Sequence, residues 1–154
     1  MRLLFPAKLE RDDNGTLLIT CPALPEVTTF AETEADWHQH AQDAIEEAIA
    51  ARMNSWSDVP LPDGEQLFSH DDSMAYRVVE LSLQAELKLM LFHSCKQAGV
   101  SRAELARRLS WHREQVDRLF RLDHASRIDQ IDAAVRAIGM TFDVNVVGPA
   151  TEAA

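Results

Sequence analysis

His112, Arg113, Gln115 and Arg118 fall within one short stretch of the chain, flanked by Arg107, Arg108 and Arg121. Arginine carries parallel N–H donors that fit the guanine O6 and N7 edge, and a glutamine amide can pair with adenine N6 and N7. On a helix these four residues share one side, with Val116 and Leu119 on the other. The flanking arginines suit phosphate contacts, which set register without reading bases. The chemistry these residue types and spacings could support is nucleic-acid recognition. The competing reading is a small helical bundle whose arginine-rich face only stays wet.

Positioning such a face takes two short helices. Ser101-Arg-Ala-Glu104 is a capping box that opens one over 101–109, a tight break falls at Ser110, and a second helix follows at about 111–121. Leu105, Ala106, Leu109, Val116 and Leu119 have helix-turn-helix spacing, with the small Ala106 where the two helices must cross closely. Such a pair projects its second helix into the major groove. Ser110 stands where a glycine is common, and Glu114 and Asp117 put negative charge on the reading helix. Before this pair, a helix from Ser82 to Gly99 should turn Leu83, Leu87, Met90, Leu91, Ser94, Cys95 and Ala98 inward. After it, Arg127–Gly139 should form a helix with Ile128, Ile131, Ala134, Val135 and Ile138 inward. Phe142, Val144 and Val146 then alternate through a strand at 141–147, whose open edges invite a second copy of the chain.

The first half follows a different period. Leu3, Phe5, Ala7 and Leu9 alternate with polar residues, as do Leu17, Ile19 and Cys21, and Asn14-Gly15 between them predicts a hairpin with a type I′ turn. Val27–Phe30 can add a third strand and Tyr76–Leu81 a further one. Thr33-x-x-Asp36 opens a helix with Trp37, Ala41, Ala44, Ile45, Ala48, Ile49, Met53 and Trp56 at helical spacing. The fold class is α+β: an antiparallel sheet packed on a helix over residues 1–80, a helical domain with a terminal strand over 81–147, and a disordered tail at 148–154. Glu65–Ser73 reads as a loop.

Charge divides the chain at the same place. The 154 residues carry a net charge of −10, yet residues 1–80 hold 5 lysines and arginines against 16 aspartates and glutamates, and residues 81–154 hold 10 against 9. Within 96–127 the balance is 8 basic to 4 acidic. Two modules with different partners is the economical reading, the acidic one suiting a basic protein. No apolar run approaches the roughly 20 residues of a membrane span, so no membrane association and a cytoplasmic location are expected.

Other chemistries fit less well. Glu10, Asp12, Asp13, Asp43, Glu46 and Glu47 could supply carboxylates for a metal-dependent hydrolase, but they are placed at a hairpin tip and on the outer face of a helix, as a solvated acidic surface would be. His38, His40, His70, His93, His112 and His124 lack metal-ligand spacing, so no metal is expected. Cys21 and Cys95 are far apart and read as small buried hydrophobes, and only 5 glycines leave no phosphate cradle. Trp37, Trp56 and Trp111 could stack on single-stranded RNA, although burial suits them better. Neither catalysis nor a cofactor is expected. A one-component regulator whose first domain senses a small molecule is the alternative from another class.

The hairpin with Asn14-Gly15, Pro22-Ala-Leu-Pro25, the Thr33-initiated helix through Ala48, Pro60-Leu-Pro62, Glu104-Leu-Ala-Arg-Arg-Leu109, Arg118-Leu-Phe120, His124-Ala125 and Ile128-Asp129 together resemble the HicB-family antitoxins of HicA–HicB toxin–antitoxin systems, in the subgroup with a helix-turn-helix. The family usually has Pro-Gly-Cys where this chain has Pro25-Glu-Val27. The resemblance implies a partial RNase H-like first domain without nuclease activity that masks a small basic RNA-cleaving toxin of the HicA type. It also implies a second domain that represses the operon of the pair, in dimers or larger oligomers. Within it the six acidic residues above become surface candidates for toxin binding, and His112, Arg113, Gln115, Arg118, Arg107, Arg108 and Arg121 the operator-DNA contacts.

Overall fold

The computed structural model describes residues 3–62 and 76–148. The expected loop at 65–73, the tail beyond Gly148 and His70 lie outside them. Three strands come first: β1 (Leu4–Arg11), β2 (Leu17–Cys21) and β3 (Leu24–Ala31). A helix, α1 (Trp37–Asn54), and a fourth strand, β4 (Tyr76–Glu80), complete the sheet unit. Four helices follow: α2 (Leu83–Ala98), α3 (Arg102–Leu109), α4 (Arg113–Leu119) and α5 (Ile128–Ala137). The fold class is α+β, as expected.

The sheet runs β3-β2-β1-β4 and its strands pair antiparallel. Alternation decides which face is covered: Phe5, Ala7, Leu17, Ile19, Cys21 and Val79 are buried, and Ala41, Ile45, Ala48, Ile49 and Met53 of α1 close over them. Pro6 has no N–H to give, and it stands where β1 pairs with β4 alone, because pairing with β2 starts at Lys8. The third strand is longer than expected and takes in Pro25, which an edge strand tolerates.

The hairpin turn differs from the two-residue expectation. Gly15 alone has a positive φ there, +81°. Gly15 N–H donates to Asp12 O at 3.0 Å and Asp12 N–H to Thr16 O at 2.9 Å, while Asp12 Oδ1 accepts from the N–H groups of Asn14 and Thr16. The aspartate side chain does the work that a left-handed Asn14 would otherwise do, so the turn is wider.

Helical periodicity places the face of α1 and only part of that of α2: Leu91 and Cys95 are buried and Leu87 and Met90 pack against the core, as expected. Leu83 is 61% exposed and Ala98 is exposed, while Ala85, Lys88, Leu89, Leu91, Phe92 and Cys95 are the buried face. The buried face takes in Lys88, a residue that any polarity count places outside. Ile128, expected inward, is 67% exposed at the first turn of α5, whereas Ile131, Ala134 and Val135 are buried and Ile138 packs against the core at the helix end, as expected. Residues 141–147 form no ladder: Val144 and Val146 stand out from the surface, and a strand exists only beside a partner edge, which no described strand gives to this segment. Buried side chains from Leu3 to Val135 form one connected cluster across both halves.

Candidate nucleic-acid interface and acidic surface

Ser101 Oγ accepts the Glu104 N–H at 3.1 Å and starts α3 as expected. Ser110 ends it in the left-handed region, φ 55° and ψ 38°, with Trp111 N–H bonded back to Ala106 O at 3.0 Å. This is a Schellman-type stop with serine in the usual glycine position. The reversal lays α4 against α3, burying Leu105, Ala106, Val116 and Leu119, as their spacing predicts. His112 precedes α4, and Gln115 Oε1 accepts its N–H at 2.9 Å, half of a capping box.

The outer side of this pair carries the seven expected residues, all of them exposed, but in three different states. Arg107 and Arg108 both bind Glu104, and Arg108 also donates to Ala137 O at 3.2 Å. Their hydrogen bonds hold the Glu104 carboxyl below the usual range. Arg121 is paired with Asp123 at 2.7 Å, and Arg113 with Asp117 at 3.4 Å. Exposed pairs of this kind are screened by water and contribute little, so an incoming phosphate or base edge can displace the carboxylate. Gln115 is occupied by its cap, and two-point reading of adenine would require that bond to open. Among the described residues, the Arg118 guanidinium takes no partner.

Two residues behind this face escaped the sequence reading. Arg102, at the start of α3, donates from Nη2 to Met53 O at 2.7 Å and Asn54 O at 3.0 Å, capping the end of α1. Its guanidinium stacks 4.9 Å from the Trp56 ring and 5.7 Å from that of Phe120. Trp56, half-buried just past α1 at φ 57°, meets Phe92 and Phe120 edge-on and so joins the sheet unit to the helices. Lys88 is fully buried below the end of α4. The signal for Arg102 lay in its position at a helix start, which says nothing about a partner 48 residues away.

The six acidic residues do not gather into one site. Glu10 pairs with Lys8 at 3.2 Å, Asp12 holds the hairpin turn, Asp13 is exposed beside it, and Asp43 accepts from Gln39 at 2.7 Å. Glu47 is exposed on α1. Glu46 is half-buried and accepts the Ser82 N–H at 2.7 Å, which ties α1 to the start of α2. Among the described residues, no three His, Cys, Asp or Glu side chains converge as a metal site requires. None of the described helices is long and apolar enough to cross a membrane.

These features define an α+β protein in which an acidic sheet unit shares its core with a pair of short helices bearing exposed arginines. Residues 4–90 match the family described as HicB_like antitoxin of bacterial toxin-antitoxin system. Antitoxin HicB of Escherichia coli (strain K12) is 29% identical over 93% of this chain and 99% of its own length. Antitoxin HicB of Pseudomonas fluorescens (strain Pf0-1) is 32% identical over 94% and 95%, and Antitoxin HicB 2 of Photorhabdus laumondii 28% over 91% and 94%. The chain belongs to the HicB-like antitoxin family and is an antitoxin of a toxin–antitoxin system.

Proposed function

We propose that this antitoxin binds and neutralises a small basic mRNA-cleaving toxin through its acidic first domain, about residues 1–80, and represses its own operon through the helix-turn-helix of residues 81–147. The protein acts by binding and not by catalysis. The observation that carries the repressor half is Arg118, an exposed guanidinium on α4 without a protein partner among the described residues, in a row whose other arginines are lightly paired. A guanidinium so placed suits two-point contact with guanine. The toxin half is supported by the excess of acidic over basic residues in 1–80, which favours and steers a basic partner. A homodimer is supported by the exposed Val144, Val146 and Val147 in a segment without a ladder, and it would present two reading helices.

The alternative, a small-molecule sensor, would need a pocket with convergent polar groups. A cavity of about 580 Å³ lies among Leu3, Leu83, Leu87, Met90 and Phe142, but its Glu86 already accepts the Leu3 N–H at 2.9 Å. The test is co-expression with the short reading frame beside the gene, and titration of the upstream duplex. Co-purification, growth rescue and a loss of specific DNA affinity of about 5- to 150-fold in Arg118→Ala are expected, about 1–3 kcal/mol for one base contact. A neighbour that is neither bound nor toxic would refute the first half, and unaltered binding by Arg118→Ala the assignment of α4.

A further inference from the structure

Lys88 is a lysine with no exposed surface in the middle of α2, and its Nζ lies 3.2 Å from Arg118 O, 2.6 Å from Arg121 O and 2.5 Å from His124 O. An ammonium has three N–H donors, and here each has a carbonyl acceptor. Those carbonyls belong to the last turn of α4 and the loop after it, the negative end of a helix dipole. Ser126 adds its own bonds there: its Oγ donates to Arg118 O at 3.3 Å, and its carbonyl accepts from Gln84 Nε2 at 3.1 Å. A helix of seven residues is too short to hold itself, so its direction depends on such anchors.

We propose that Lys88 is the positioning residue of α4: its buried ammonium gathers the carbonyls of Arg118, Arg121 and His124 and thereby fixes the helix in the orientation that presents Arg113 and Arg118 to DNA. The inference rests on α4 being the reading helix. Charge is central to this role. Burial pulls the Lys88 ammonium down to about 8. Asp123 and Arg121, beside it on the loop with His124, act on it with opposite sign, while α5, packed against α2, turns the uncharged Ile131, Ala134 and Val135 inward. Phosphates arriving at α4 favour the charged form, so DNA affinity falls as pH rises through the region where the free protein loses this proton. If only the ammonium form is competent, its population falls about tenfold between pH 7 and 9, and affinity with it.

The experiment titrates the upstream duplex at pH 7, 8 and 9 with the wild type, Lys88→Met and Arg118→Ala, with far-UV circular dichroism on each. The expected result is a tenfold decline for the wild type across this range. Lys88→Met, with helix content retained, should bind well over tenfold more weakly at pH 7 and give a flat profile. A lysine that served stability alone would lower the melting temperature and leave the folded variant's affinity and pH profile like the wild type's, which overturns the proposal. Should Lys88→Met fail to fold, the wild-type profile decides, and a flat one overturns it. Absence of specific binding by the wild type, or an unaffected Arg118→Ala, instead overturns the reading of α4 and this proposal with it.

Discussion

Replacing Ser110 by glycine tests the turn between α3 and α4. Ser110 sits at φ 55° and ψ 38°, where a side chain crowds its own backbone at a cost of about 1–2 kcal/mol. Its position is exposed, and its hydroxyl takes no hydrogen bond among the described residues, so glycine loses no contact. Glycine does free the unfolded chain, which offsets about 0.5–1 kcal/mol of the relief. The net gain is about 0.5–1 kcal/mol, a rise in melting temperature of about 1–4 °C for a protein of this size. Thermal melts followed at 222 nm measure it, with two controls. Ser110→Ala keeps the Cβ and should melt with the wild type, whereas Ser110→Val, β-branched in the left-handed region, should lose more than about 1 kcal/mol. A glycine variant that melts at or below the wild-type temperature, or an alanine variant that gains as much as glycine, would refute the account of strain at this turn.

Arg102→Met removes two charged hydrogen bonds to α1 and the stacking on Trp56 and Phe120, and should lower stability by about 2–4 kcal/mol in urea titrations; a loss below about 1 kcal/mol would show that the sheet unit and helices are held by other means. Asp12→Asn keeps the side-chain acceptor of the hairpin turn while removing its charge, so the melting temperature should hold and any fall in toxin affinity measures charge alone, whereas Asp12→Ala should cost about 1 kcal/mol. Burial pushes the Cys95 thiol up to about 11 and raises that of Cys21, so both should resist Ellman's reagent until the protein is unfolded; prompt reaction in the native state would contradict their burial.

Period and capping were legible because they are local. Alternation located the sheet faces, the 3.6-residue repeat located α1, and Ser101 with Glu104 marked the start of α3, since each depends on residues within a turn or two of one another. The helix pair was legible for the same reason, down to Val116 and Leu119 on its inner side. What the arginines of that face do in the folded chain was not. Glu104 engages two of them, Asp123 and Asp117 one each, and Gln115 turns back to cap its own helix, choices set by side-chain geometry that spacing does not encode.

By itself, the order of residues determined the element types through α5, the core of the sheet unit, the split of charge between the halves and the place of the α3–α4 turn. Only the tertiary structure decided that the buried face of α2 takes in Lys88. A lysine reads as a surface residue until three carbonyl oxygens, contributed by residues 30, 33 and 36 positions away, meet its ammonium. The same holds for Arg102 at the end of α1 and for Glu46 at the start of α2. Burial of a charge depends on partners that converge from distant parts of the chain, and a pattern of neighbours along the sequence carries no record of that convergence.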